Sequence, residues 1–185
     1  MTFQKLKLGV MQGRLLPKYQ GRYQAHPVHY WQDEFPIAAQ LGLNCIEFIL
    51  DYKDFEKNPL FYSGGVKEIQ TLCQQTQVGV FSICADFFME NSFTQKDISR
   101  VKESEAVLQH LIEIAPALGV KNIVIPCVDA SSLNSKQEAD IFCEKIQNFT
   151  DLALKNKVNI ALETDLPPMP FKELLQKIAT VVIYK

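Results

Sequence analysis

Short apolar runs alternate with longer amphipathic segments along the whole 185-residue chain, and this alternation narrows the possible folds more than any single residue does. Runs at 6–11, 44–50, 78–85, 121–127 and 158–165 are rich in Val, Ile and Leu and read as strands buried on both faces. A final VVIY, 181–184, reads as a sixth. Between them lie segments with helical spacing at 29–41, 63–75, 96–118, 134–156 and 171–178. The joint from helix to strand is used twice, as AAQLGLNCIEFI and as APALGVKNIVIP. Strict alternation implies parallel strands joined by right-handed crossovers. Two architectures satisfy it, an open doubly wound sheet and a (β/α) barrel.

Local signals set the expected boundaries. In the first helix, Trp31, Phe35, Ala38, Ala39 and Leu41 keep to one side and Gly42 stands where a C-terminal cap belongs. Pro36 suits a first turn, so the helix is expected to start close to it. Ser63 is expected to cap the second helix. In the third, Ile98, Val101, Leu108, Leu111, Ile112 and Ala115 form a stripe, which leaves His110 on the solvent side, and Pro116 is expected to loosen the last turn. Asn134 or Ser135 is expected to cap the fourth helix, with Ile141, Phe142, Ile146, Phe149, Leu152 and Ala153 turned inward.

The strands end on polar groups: Gln12, Asp51, Asp86, Asp129 and Glu163. Ligands of α/β folds meet the carboxyl ends of the strands, so these residues favour a barrel mouth. Neither G-x-G-x-x-G nor G-x-x-x-x-G-K-[ST] occurs, which disfavours the nucleotide-binding sheets. Glu163 closes the run VNIALETD and is the leading candidate for chemistry. Glu47 sits inside an apolar run, where a carboxylate is costly unless it is paired or functional, and the sequence leaves open whether it faces the barrel or the helices. The loop after the first strand carries Gly13-Arg14 and Gly21-Arg22, cations beside flexible backbone that suit recognition of an anion or a sugar, with Arg14 nearer the strand end. Candidate ligand contacts are therefore Arg14, Glu47 and Asp86.

Composition excludes other classes. A net charge of -2 and a pI near 5.9 give no general attraction to nucleic acid or anionic lipid. No apolar run is long enough to span a bilayer, and the N-terminal segment does not read as a secretory leader. The five cysteines are scattered, with no C-x-x-C pair, as expected for packed thiols in a reducing compartment. A cytoplasmic protein of one domain is expected.

Met11-Gln12-Gly13-Arg14-Leu15, then Trp31 with Glu34-Phe35 and Ala38-Ala39, then Leu41-Gly42-Leu43 leading into Ile46-Glu47-Phe48, resemble the sugar phosphate isomerase/epimerase family of xylose-isomerase-like barrels. Ala161-Leu162-Glu163-Thr164-Asp165 is similar to the fifth strand of that family. The resemblance implies a TIM-type barrel that binds a divalent metal, Mn, Mg or Zn, through carboxylates and a histidine, with glutamates on strands five and eight moving a proton beside a sugar carbonyl. Glu163 matches the first of these glutamates, as metal ligand and catalytic group. A hard cation would polarise the sugar oxygens and ease formation of an enediolate.

A complete barrel takes about 250 residues. Lys185 falls at the start of the sixth strand, no histidine follows His110, and the only acidic residues after Glu163 are Asp165 and Glu173. The expectation is thus an α/β chain forming an incomplete (β/α)8 barrel of five to six parallel strands, truncated and lacking the ligands of strands six to eight. An open barrel leaves strand edges uncovered, so a homodimer burying well over ~2,000 Å² is expected. Its small-molecule partner would be a sugar or sugar phosphate if the chain is active. The alternative is a non-catalytic remnant acting as a binding or interaction module. Abasic-site endonucleases share the barrel, but they need a basic surface and many histidine and acidic ligands, neither of which is present.

Overall fold

The computed structural model describes residues 7–178. Its strands are β1 (Gly9–Met11), β2 (Cys45–Ile49), β3 (Gly79–Cys84), β4 (Asn122–Cys127) and β5 (Asn159–Thr164). All pair in parallel, in the order β1-β2-β3-β4-β5. Because every strand lies beside its successor, the crossovers never reverse direction and the helices cover one face. That is the winding of a barrel and rules out the doubly wound sheet. The fold is an α/β partial barrel, and the sixth strand expected at 181–184 lies outside the described residues.

The helices are α1 (Glu34–Gln40), α2 (Gly65–Thr76), the single turn α3 (Phe87–Glu90), α4 (Ile98–Leu118), α5 (Lys136–Asn156) and α6 (Pro168–Ile178). Pro36 does fall in the first turn of α1. Ser135 caps α5 by accepting the N–H of Glu138 at 3.2 Å, while Glu138 reaches back to the N–H of Asn134 at 2.8 Å. Asp97 caps α4 through the N–H of Ser99.

Several expectations are corrected. Ser63 does not cap α2: the helix follows Gly64, which is left-handed at φ 87°. Ile98 is 72 % exposed, since it opens α4 beyond the reach of the sheet. His110 is not a solvated residue. Its Nε2 lies 2.7 Å from the Leu60 carbonyl and its ring packs on Phe61, so it ties α4 to the loop before α2. The last helix begins at Pro168, earlier than its apolar spacing suggests.

The core lies between the sheet and the helices. Ile46, Phe48, Val80, Ile83 and Ile123 are fully buried, with Trp31 and Phe35 from the α1 side and Leu108, Leu111 and Ile112 from α4 packed over them. Each such side chain contributes roughly 1.5–3 kcal/mol through burial. β3 carries one extra residue: Ile46 pairs with Val80 but Glu47 pairs with Ser82, so Phe81 is bulged out of register. This offset decides which of the later β3 residues share a face with Glu47.

Candidate functional site

Register assigns each strand residue to a face. Phe48, Ile83, Ile123 and Ile160 are successive partners and lie on the helix-covered face. Glu47, Ser82, Asn122 and Asn159 are likewise partners, one residue earlier, and so lie on the concave face. Glu163 pairs with Pro126, four residues beyond Asn122, and the alternation puts it on the concave face as well. Glu47 therefore faces the barrel interior and not the helix layer, which resolves the alternative left by the sequence.

At the carboxyl end of β3 one thiol feels the charge of carboxylates from β2, β5 and its own loop. Cys84, buried at the end of β3, donates to Asp86 Oδ1 at 3.1 Å. Burial, with Asp86, Glu47 and Glu163 acting together, pushes the thiol far above its ordinary range, so Cys84 serves as a hydrogen-bond donor and not as a nucleophile. Burial also raises the Asp86 carboxyl, helped by Asp51 and opposed by Cys84, Gln24 and Arg22. Of the expected site residues, Asp86 touches Cys84, while Glu47 and Glu163 act on it only through their charge.

Arg14, the fourth, does not touch this group. It is exposed on the loop after β1 and donates from Nη2 to Gln24 Oε1 at 3.2 Å. Arg22 pairs with Asp51 at 3.0 Å from a two-residue turn in which Tyr19 and Arg22 exchange backbone hydrogen bonds. Asp51 is more than a loop residue: it is buried, and it accepts the His26 N–H at 2.8 Å.

Sequence reasoning missed the buried groups that hold this loop. Gln12 Oε1 accepts the Ile49 N–H at 2.9 Å and lies 3.2 Å from His26 Nδ1. His26 packs between Trp31 and Phe48, and burial lowers its pKa to about 3, so the ring is neutral. Glu34, fully buried, accepts the N–H groups of Gly13 and Leu15. The one available signal was a carboxylate inside an apolar helix face.

Among the described residues, no three His, Cys, Asp or Glu side chains gather as a cation site. The described residues by themselves do not fit a metal centre.

The sequence of residues 35–181 matches the family described as the xylose isomerase-like TIM barrel. The chain belongs to this family. No curated protein matches the chain. Among solved structures, a barrel protein of the family from Mycobacterium smegmatis in complex with magnesium is similar at TM-score 0.69 and 14% identity, covering 94% of this chain and 61% of that one. D-psicose 3-epimerase from Clostridium cellulolyticum H10, with D-tagatose, is similar at 0.68 and 13%, covering 94% and 60%. The IOLI protein with a binding zinc atom is similar at 0.66 and 16%, covering 94% and 59%. At these identities the likeness is one of fold, and the chain spans about three fifths of those barrels.

Proposed function

We propose that this chain is a sugar isomerase/epimerase-like protein, forming one partial barrel domain, that binds a sugar or sugar phosphate on the concave face at the carboxyl ends of its strands. The observation that carries this reading is that Glu47 and Glu163 share the concave face, with Asp86 hydrogen-bonded to Cys84 at the end of the intervening β3. Glu47 and Asp86 supply acceptors for sugar hydroxyls, and Arg14 supplies donors. Glu163 takes the proton from the carbon beside the carbonyl, a role worth about 10²–10⁴-fold for a well-placed carboxylate. The family resemblance and the magnesium and zinc complexes among the similar structures support a divalent metal in related barrels. Among the described residues, Glu163 is the one that the family resemblance offers as a ligand.

A second reading, a non-catalytic binding or interaction module, is favoured by the absence of a three-ligand cluster among the described residues. Deuterium exchange separates the two. With D-fructose in D₂O, the isomerase reading expects solvent deuterium to enter the carbon beside the carbonyl, and Glu163→Gln to stop it. Binding without exchange in the wild-type chain sinks the catalytic reading. No binding sinks both.

We also propose a homodimer in the cytoplasm, with neither nucleic acid nor membrane as partner. Among the described residues β1 and β5 end the sheet with unpaired edges, which a second copy would cover. The cysteines form no disulfide, which suits a reducing compartment. No helix among the described residues is long and apolar enough to cross a membrane. Light scattering should give twice the 21.1 kDa chain mass, and a stable dilute monomer would refute the dimer.

A further inference from the structure

We propose that Arg22 is a further ligand-binding residue of the mouth, its guanidinium donating to adjacent oxygens of the sugar, and that Asp51 is its positioning residue. The inference rests on reading the mouth as the sugar site.

Asp51 and Asp86 each lie two residues past the paired strand ends Ile49 and Cys84. The ladder between β2 and β3 continues toward them, the Leu50 N–H donating to the Cys84 carbonyl at 3.0 Å and the Phe87 N–H to that of Leu50 at 2.7 Å. Asp51 therefore belongs to the carboxyl end of β2, beside the end of β3. Both its oxygens are engaged within the protein, Oδ1 by Arg22 Nη1 at 3.0 Å and Oδ2 by the His26 N–H at 2.8 Å. Its side chain is only 9% exposed. Burying a carboxylate is costly, and the two groups it holds both come from the loop between β1 and α1. The consequence is a fixed position for that loop over the end of β2.

The chain is also stiff where Arg22 leaves it. Tyr19 and Arg22 exchange backbone hydrogen bonds at 2.9 and 3.0 Å, and Gln20 and Gly21 between them are both left-handed, at φ 50° and 82°. Lys53 Nζ ties the same turn down a second time by donating to Gln20 Oε1 at 3.3 Å. The Arg22 side chain itself is 49% exposed. A guanidinium carries several N–H donors in one rigid plane, and contact with a single carboxylate oxygen leaves most of them for a ligand. Because an exposed ion pair adds little stability, the pair acts through where it puts those donors. Asp51 balances the charge, so Arg22 offers directed N–H groups rather than a net positive field, which suits the neutral hydroxyl and carbonyl oxygens of a sugar.

The test measures D-fructose and inorganic phosphate binding to the full chain by calorimetry. It uses Arg22→Ala, Arg22→Lys, Asp51→Asn and, as a control, Lys18→Ala, an exposed cation of the same loop. Arg22→Ala should weaken D-fructose about tenfold, and Arg22→Lys, which keeps the charge but not the planar fork, should recover only part of that loss. Asp51→Asn keeps an acceptor for the His26 N–H but leaves the cation unbalanced. D-fructose should then weaken and phosphate, which the wild-type chain should ignore, should begin to bind. A merely structural Asp51 would lower stability without that gain. An Arg22→Ala chain that binds D-fructose as the wild type does, or a Lys18→Ala chain that loses as much, overturns the role of Arg22. A folded Asp51→Asn chain that gains no phosphate overturns the role of Asp51, and if that variant does not fold the Arg22 and Lys18 variants decide. A wild-type chain that binds no D-fructose sinks the functional reading and this contact with it, whereas a binding wild type with an unaffected Arg22→Ala sinks the contact alone.

Discussion

Gly13→Ala is expected to lose about 2–5 kcal/mol of folding stability, while Gly21→Ala, in the same loop, loses only about 1–2. Both glycines are left-handed, at φ +85° and +82°, so both substitutions carry the backbone cost of a side chain in that region. They differ in surroundings. A Cβ on Gly13 would stand 2.3 Å from the Tyr23 carbonyl oxygen and 2.7 Å from that of Ala25, whereas nothing lies within 4 Å of one on Gly21. Backbone oxygens cannot turn aside as a flexible side chain does, so the loop would have to open. The Glu34 contact and the Arg14 contact to Gln24 lie in that loop and should weaken with it. Urea unfolding of the two variants measures the difference, and equal losses would show that the loop is not as close-packed as described.

Acid should destabilise the fold through His26 before any carboxylate does. In the fold this histidine titrates at about 3, against 6.5 for the free side chain. Its folded value is depressed, so its contribution is fully present above the unfolded value and drains away as pH falls from about 6.5 toward 3. Each pH unit in that window costs up to about 1.4 kcal/mol, or roughly 2–3 kcal/mol between pH 6.5 and 4.5. The cause is geometric. Nδ1–H donates to Gln12 Oε1, which already serves the Ile49 N–H, and Nε2 is buried with no hydrogen-bond partner. Protonation would place a charge and an unsatisfied donor against Trp31 and Phe48. Glu34 and Asp86 act in the opposite sense, because burial raises both carboxyls and the fold binds their protons more readily than the unfolded chain does. They flatten the curve toward the lower end of the window. Urea midpoints between pH 7.5 and 4.5 should therefore fall steeply in the wild-type chain and less so in His26→Gln. Parallel curves would remove His26 as the cause.

Much of the architecture was legible because it is local. The alternation of periods near two and near 3.6 is written residue by residue, and it located each of the five described strands to within a few positions. The Ser135 cap and the early position of Pro36 follow from chemistry confined to one turn. Ser63 failed as a cap because the chain takes its helix start from Gly64 instead, a choice set by left-handed backbone and not by side-chain type. His110 was misplaced for a related reason: helical spacing put it outside, but a carbonyl 50 residues away in sequence took it up.

The residues alone determined that the strands run parallel, that helices separate them, and that carboxylates stand at their ends. Tertiary structure decided the rest. The bulge at Phe81 sets which β3 residues share the concave face with Glu47. Contacts between segments 14 to 37 residues apart assembled Gln12, His26, Ile49 and Asp51 into one buried cluster. Glu34 met its loop across a similar gap. Periodicity tells a side chain which way to point along its own element, whereas its partner is chosen only when distant elements are brought within hydrogen-bonding reach.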